Sequence, residues 1–222
     1  MNGFSKEWDK RYKENTHMSI WPWSDLVSFV MSNLPQKENF NVLELGCGAG
    51  ANIPFFKSIG ANYYAIEGSA SIVENRHNKY PQFKDNIIVG DFTKDIPNIE
   101  FDLIVDRASL TCNNEKAISK CLDHCNKQLA IGGKFVGIDW YSVKSSDYKE
   151  GKGTQVEDIW TRTNFTDGAF ANTGRVHFSD KEHLVCLFKK FKMLEMYHKS
   201  LIKELPSDDW ELATWNFLAE KI

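Results

Sequence analysis

The chain has 222 residues, of which 42% are hydrophobic and 26% charged, a composition typical of a globular protein and too apolar for a disordered one. Its formal net charge of −3 gives no overall attraction for nucleic acid or for an anionic membrane, and its mean hydropathy of −0.43 comes with no apolar run long enough to span a bilayer. Because the N-terminus lacks the apolar segment of a secretory signal and the five cysteines are scattered, we expect a cytoplasmic protein with reduced thiols.

The first 23 residues are rich in aromatic side chains and precede the first predicted helix. That helix begins at Ser24, a suitable N-cap, and carries an apolar stripe through Leu34. We expect residues 1–23 to form a lid over a site, although Trp8 and Trp23 are equally compatible with packing on a sheet edge.

Five short apolar runs follow, separated by helix-length segments. Such a pattern predicts parallel strands with helices on both faces of the sheet. The runs are Val42–Leu45, Tyr63–Ile66, Ile87–Val89, Phe101–Val105 and Lys134–Ile138.

The rest of the chain supplies further helices, two more strands and one long polar stretch. Ser69 and Ser179–Asp180 are expected to begin helices, and Gly132–Gly133 to stop the helix before the fifth strand. The last two strands are predicted around Lys192–His198 and Trp215–Lys221. Residues 142–173 have few periodic apolar positions and are interpreted as an insertion covering the site, within a single domain over 1–222.

Acidic residues follow four of the predicted strands, and a glycine cluster follows the first. In an open parallel sheet, ligands bind beyond the carboxyl ends of the strands, so these side chains mark the expected site. The acids are Glu67, Asp91, Asp106 and Asp139.

The glycine cluster has two interpretations. Gly46, Gly48 and Ala51 fit the dinucleotide fingerprint, which would indicate a nicotinamide-dependent oxidoreductase. Glu44 and Asp91 argue against it, because carboxylates repel a diphosphate and suit a cationic ligand with free hydroxyl groups.

Four segments in order resemble the motifs of class I S-adenosylmethionine (SAM)-dependent methyltransferases of the small-molecule kind (domain types 11, 12 and 25). They are Glu44–Gly50, Glu67, Gly90–Phe92 and the FDLIVDR run at Phe101–Arg107. The resemblance covers roughly Asn41 to Asp139. It implies an α/β, Rossmann-like fold with a seven-stranded, mostly parallel sheet, a final antiparallel strand and helices on both faces.

The resemblance also implies SAM as the cofactor and S-adenosylhomocysteine (SAH) as its product. Glu67 would accept hydrogen bonds from both ribose hydroxyls, and Asp91 would accept one from the adenine amine. The predicted cofactor residues are Tyr12, Trp21, Glu44, Gly46, Cys47, Gly48, Gly50, Glu67, Gly68, Asp91, Phe92 and Asp106.

A hydroxyl or ammonium acceptor must lose a proton, which calls for a general base. The candidates are Asp106, Asp139 and His177. Aromatic and cationic residues suggest a pocket for a small polar or anionic acceptor, and Arg107 is either such a cation or an ion-pair partner of Asp102 or Asp106. The predicted substrate residues are Arg107, Trp160, Arg162, Arg175 and His17.

The predicted function is methyl transfer from SAM to an oxygen or nitrogen of a small metabolite or glycan precursor. The alternatives are an NAD-dependent oxidoreductase and a non-catalytic binding module of the same fold. We expect neither a nucleic-acid nor a membrane partner, a monomer or homodimer, and no metal site, because Cys121 and Cys125 lack a second ligand pair.

Overall fold

The computed structural model describes residues 6–14, 16, 18–33, 39–206 and 210–222. Its helices are α1 Lys6–Lys13, α2 Ser24–Asn33, α3 Ile53–Ser58, α4 Ala70–Lys79, α5 Glu115–Gln128, α6 Ser146–Lys149 and α7 Lys181–Leu187. Its strands are β1 Asn41–Leu45, β2 Asn62–Glu67, β3 Ile87–Val89, β4 Phe101–Arg107, β5 Leu129–Tyr141, β6 Thr154–Gln155, β7 Thr161–Thr163, β8 Val176–His177, β9 Phe191–Ile202 and β10 Glu211–Lys221. None of the described helices is long and apolar enough to cross a membrane.

Seven strands form one sheet in the order β3-β2-β1-β4-β5-β10-β9. The pairs from β3 to β5 are parallel, and β10 runs antiparallel to both of its neighbours. The predicted mostly parallel sheet with a final antiparallel strand is therefore confirmed. Strand order reverses between β1 and β4, and a ligand crevice is expected outside the carboxyl ends of the strands at such a switch point.

Apolar side chains bury both faces of this sheet. Leu26, Val30 and Phe56 belong to a cluster on one face, while Leu122, Phe188 and Phe217 belong to a cluster on the other. The strands of the sheet centre are buried on both sides because helices cover both, which explains why they appear in the sequence as short apolar runs.

Two predicted helix starts are confirmed and one predicted stop is wrong. Ser69 accepts a hydrogen bond from the Ile72 backbone N–H, and Asp180 from that of His183, as N-caps do. However, α5 ends at Gln128, and Gly132 and Gly133 lie inside β5. Gly132 has φ +72°, so it serves an irregular part of a long strand rather than a helix C-terminus.

Residues 142–173 contain more structure than their polar sequence suggests. They include α6 and the strands β6 and β7, which join β8 in a three-stranded antiparallel sheet. Phe165, Phe170 and Phe178 are buried together in a third apolar cluster. The segment therefore forms a small apolar core together with residues that follow it in the chain.

Candidate cofactor and acceptor site

The turn after β1 needs glycine at two positions where other atoms approach closely. Gly46 has φ +68°, and a Cβ there would lie 2.3 Å from the Ser109 hydroxyl oxygen. Gly48 has φ +49°, and its Cβ would lie 2.6 Å from the Tyr12 hydroxyl. Both the backbone conformation and the available space thus exclude larger residues.

The Glu67 carboxylate lies at the end of β2 against this turn. One oxygen accepts the Gly48 backbone N–H at 2.9 Å and the other accepts that of Ser69 at 2.9 Å. The side chain is only 4% exposed, and burial raises its pKa while the backbone N–H groups oppose that shift. Each carboxylate oxygen has two lone pairs, so both remain able to accept a ligand hydroxyl.

Asp91 and Phe92 follow β3 at the same edge and both border the cavity described below. One Asp91 oxygen accepts the backbone N–H of Thr93 at 3.0 Å and its hydroxyl at 2.6 Å. This turn holds the carboxylate in place, and the other oxygen lies 3.5 Å from the Lys94 ammonium.

Glu44 lies deeper, at the floor of the same region. It accepts hydrogen bonds from the Asn52 side-chain amide at 2.8 Å and from the Tyr63 hydroxyl at 2.5 Å. Burial raises the pKa of Glu44 to about 7, although these two bonds oppose the shift. Because both oxygens have protein donors, Glu44 supports the turn between β1 and α3.

Helix α1 lies beside this turn and contributes Trp8 and Tyr12 to the site. Its Asp9 carboxylate accepts the hydroxyls of Ser69 at 2.6 Å and of Ser71 at 3.0 Å, which joins α1 to the start of α4. On the other side, Arg11 donates to the Ala171 carbonyl at 2.7 Å. The Tyr12 ring is placed over Gly48, and burial raises the pKa of its hydroxyl.

The turn, the strand ends and α1 border a cavity that is partly open to solvent. Most of the predicted cofactor residues line it, namely Tyr12, Glu44, Gly46, Cys47, Gly48, Glu67, Gly68, Asp91 and Phe92. The glycine cradle and the open lone pairs of Glu67 fit the nucleoside and amino-acid portions of SAM.

The far side of the cavity has a different character. Arg107, at the end of β4, has its guanidinium carbon 3.5 Å from the centre of the Trp23 ring. The guanidinium pairs with Asp139 at 3.2 Å, rather than with Asp102 or Asp106. Tyr141 and Cys112 complete this wall, and burial raises the pKa of both groups, that of Cys112 to about 12.

Three predicted cofactor residues are not brought to the cavity. Trp21 is 72% exposed and borders a shallow groove with Tyr80. The Cβ direction of Gly50 faces Ile53 and Arg76 behind the turn.

The third, Asp106, is 0% exposed and accepts the Leu110 backbone N–H at 3.0 Å. Burial raises the pKa of Asp106 to about 7. A fully buried carboxylate that receives a backbone donor supports the chain after β4 and does not border the cavity.

His177 lies away from the cavity, in a buried pair with His183. Their Nε2 atoms are 3.0 Å apart, and the other ring nitrogen of His177 is 2.9 Å from the Thr161 hydroxyl. Burial lowers the pKa of His177 to about 3 and that of His183 to about 4. This geometry is that of a structural link between β8 and α7, because both rings are occupied by protein partners.

The predicted substrate residues in the insertion and just after it have protein partners away from the cavity. Trp160 stacks on His183 with ring centres 4.2 Å apart, and Arg162 lies over Tyr148 while donating to the Lys152 carbonyl. Arg175 pairs with Glu157 at 3.0 Å. None of these three borders the cavity. His17 lies outside the described residues.

Sequence reasoning missed several lining residues. Tyr141 could not be found from strand alternation, because β5 is irregular at Asp139, which has φ +56° and lies at a register shift against β10. Ser109 and Cys112 had no usable signal, since a 3₁₀ turn at Leu110–Cys112 brings them in. The position of Asn52 at the cavity is explained only by the hydrogen bond that its side-chain amide donates to Glu44.

Comparisons with known proteins agree with this geometry. Residues 43–137 match the sequence profile of a family described as a methyltransferase domain. A curated relative, the protein-L-isoaspartate O-methyltransferase of Petrotoga mobilis, is 28% identical over 149 residues, which is 64% of this chain and 64% of the relative. The match thus spans less than two thirds of that protein.

Solved structures share the fold at low sequence identity. A SAM-dependent methyltransferase from Methanosarcina mazei has a TM-score of 0.68 at 15% identity, over 87% of this chain and 97% of its own. TehB from Haemophilus influenzae has a TM-score of 0.62 at 16% identity, over 97% of this chain and 67% of its own. Geranyl diphosphate C-methyltransferase from Streptomyces coelicolor, solved with SAH, has a TM-score of 0.61 at 13% identity, over 90% and 80% of the two chains.

Proposed function

We propose that this chain transfers a methyl group from SAM to an oxygen or nitrogen atom of a small polar or anionic molecule, such as a metabolite or glycan precursor. The chain has the class I SAM-dependent methyltransferase fold and carries a methyltransferase domain over residues 43–137. The predicted fold and a methyltransferase domain over residues 43–137 are confirmed by these matches. The same matches support a SAM-dependent enzyme with SAM as its cofactor. The acceptor and the role of each site residue are the proposed part.

The geometry of Glu67 carries the proposal. Its two oxygens are fixed by backbone donors and keep lone pairs for two adjacent hydroxyl groups, as a ribose offers. Gly46 and Gly48 let the backbone pass beneath the ligand, while Asp91 accepts from the adenine amine beside Phe92. The ribose of NAD would also suit Glu67. An NAD-dependent oxidoreductase is therefore disfavoured only by Glu44 and Asp91, the other carboxylates that border this cavity.

SAM, when bound, supplies a reactive methyl group on a positively charged sulfur. The contribution of the chain is to align the two reactants and to exclude water. Helix α1 serves the second purpose, because it covers the cavity and is held by contacts to Ser69 and to Ala171. Trp23, Arg107 and Tyr141 form the wall at which the acceptor is expected to bind.

The residues of that wall favour an acceptor that needs little help in losing a proton. Burial raises the pKa of Cys112 and of Tyr141, so neither is a base at neutral pH. Asp139, the remaining candidate base near the wall, is paired with Arg107 and Lys199. A neutral amine or an already ionised oxygen fits this environment better than an alcohol does.

Calorimetric titration with SAM, SAH and NAD tests the proposal. We expect SAM and SAH to bind and NAD not to bind. Replacing Glu67→Gln should weaken SAH binding about 10-fold to 100-fold, the scale of losing a charged hydrogen-bond partner. Glu74→Gln, a change at an exposed acid on α4, is the matched control and should leave the affinity unchanged.

Two results would overturn the assignment of the Glu67 side of the cavity to SAM. One is tight NAD binding that SAH displaces, and the other is an unchanged SAH affinity in Glu67→Gln. A third measurement separates a catalyst from a non-catalytic binding module. Incubation with labelled SAM and a pool of small metabolites should yield a labelled product, and SAH binding without any product would favour the module.

A further inference from the structure

The Arg107 guanidinium is held tightly on two sides. Trp23 covers one face, with the guanidinium carbon 3.5 Å from the ring centre, and Asp139 pairs with one terminal nitrogen at 3.2 Å. A stacked guanidinium is oriented as well as charged, which is why arginine recognises planar groups better than lysine does. Its position at the carboxyl end of β4 directs it toward the cavity wall.

A chain of charged and polar groups fixes this orientation from outside the cavity. Asp139 is shared with Lys199 at 3.3 Å, and Lys199 also pairs with Asp25 at the start of α2. Asn216, buried on β10, accepts the Asp139 backbone N–H at 2.8 Å and donates to Asp25 at 3.0 Å. The positive charges of Arg107 and Lys199 equal the negative charges of Asp25 and Asp139. The guanidinium is therefore held in one orientation before a ligand binds.

One hydrogen-bond donor of this wall, the Arg107 Nε atom, is buried and makes no hydrogen bond to any described residue. Tyr141, on the adjacent strand β5, borders the same cavity as Arg107. An unpaired buried donor costs about 1–3 kcal/mol, more when it is charged, so the guanidinium favours a ligand that accepts a hydrogen bond.

We propose, on the basis of the proposed methyl transfer, that Arg107 and Tyr141 bind a carboxylate of the acceptor while Trp23 holds the guanidinium in place. A carboxylate is planar, accepts from an N–H and an O–H at once, and brings a single negative charge to a charge-balanced cluster. A phosphate dianion would add twice that charge beside Asp139. The acceptor class is thus a small carboxylic acid, held at the end of the cavity that lies opposite Glu67.

Binding of small probes to the SAH-saturated protein tests this inference. Sodium benzoate is the probe, benzamide is its neutral counterpart and inorganic phosphate is the competing anion, each followed by tryptophan fluorescence and by NMR chemical shifts. We expect benzoate to bind with a millimolar dissociation constant and benzamide and phosphate to bind at least about 10-fold more weakly. Arg107→Gln should weaken benzoate binding at least about 10-fold, and Tyr141→Phe about 3-fold to 10-fold.

Arg175→Gln is the matched control, because Arg175 pairs with Glu157 in the insertion and does not border the cavity. It should leave benzoate binding unchanged, and all three variants should bind SAH within about twofold of the parent. The inference is overturned by benzamide or phosphate binding as well as benzoate, by Arg107→Gln without effect, or by no benzoate binding up to about 50 mM. Loss of SAH binding in the parent protein would instead overturn the proposed function, so the two failures are distinguishable.

Discussion

Two regions of the molecule differ in how well the sequence predicts their contacts. One is the sheet edge at the carboxyl ends of β1 to β4, called the rim below, and the other is the insertion of residues 142–173. At the rim, the predicted residues Gly46, Gly48, Glu67 and Asp91 converge on one cavity. In and just after the insertion, the predicted residues Trp160, Arg162 and Arg175 contact other protein side chains instead of the cavity. Strand order brings the ends of parallel strands to one edge regardless of detail, whereas an irregular segment places its side chains through tertiary contacts that have no fixed spacing.

The largest expected effect comes from a change in the apolar cluster that Phe165 and Phe170 of the insertion form with Phe178. Phe178→Ala removes a side chain that is 0% exposed and touches Phe170 and Tyr148, so we expect a loss of about 3–5 kcal/mol in the free energy of unfolding. Urea denaturation measures it. Ile159→Ala, at a side chain that is 62% exposed in the same region, should change stability by less than about 0.5 kcal/mol. A small effect of Phe178→Ala would show that this cluster forms no core.

The next effect falls on the rim. Gly46→Ala places a Cβ 2.3 Å from the Ser109 hydroxyl oxygen at φ +68°, so the turn must move and we expect SAH binding to weaken at least about 100-fold. Gly60→Ala is the control, since Gly60 has φ +70° and no atom within 4 Å of its Cβ. It should cost about 1 kcal/mol of stability and leave SAH affinity unchanged. If both variants lost SAH affinity equally, the loss would be caused by backbone strain alone and not by the contact with Ser109.

Glu44 at the rim and His183, which stacks on Trp160 of the insertion, should affect the pH dependence of stability in opposite directions. Burial raises the pKa of Glu44 to about 7, so the folded rim favours the protonated acid and this contribution to stability is lost as the pH rises from about 4.5 through 7. Burial lowers the pKa of His183 to about 4, so the unfolded chain takes up its proton first and stability is lost as the pH falls below about 6.5.

Unfolding measured between pH 5 and 8 for two variants tests this difference. Relative to the parent, Glu44→Gln should gain about 1–2 kcal/mol as the pH rises from 5 to 8, because it removes an unfavourable buried charge. His183→Gln should change by a similar amount in the opposite direction, improving as the pH falls. Parallel pH profiles of both variants would contradict the assigned directions.

The smallest expected effect concerns the join between α1 and α4. Asp9→Asn weakens the contacts with the buried Ser69 and the exposed Ser71, so we expect SAH to dissociate about 2-fold to 5-fold faster with little change in stability. Stopped-flow displacement measures this rate. Glu14→Gln, on the exposed end of the same segment, should dissociate SAH at the parent rate, and a faster rate there would mean that α1 closes the cavity through its charge alone.

Sequence alone determined the sheet, its parallel core and the cofactor edge. Buried parallel strands require two apolar faces, and a glycine turn needs positive φ, so both leave local patterns that spacing preserves. Glu67 and Asp91 were predictable for the same reason, because each lies directly after a strand whose end is fixed by the sheet.

Only the tertiary structure decided which of the remaining polar groups face the cavity. Asp106 follows a strand as Glu67 does, yet a backbone N–H turns it inward, and His177 is occupied by His183. Arg107 acquired its partner from β5 and its cover from the segment before α2. Such roles depend on contacts between residues far apart in the chain, and no local spacing records which partner a long side chain meets.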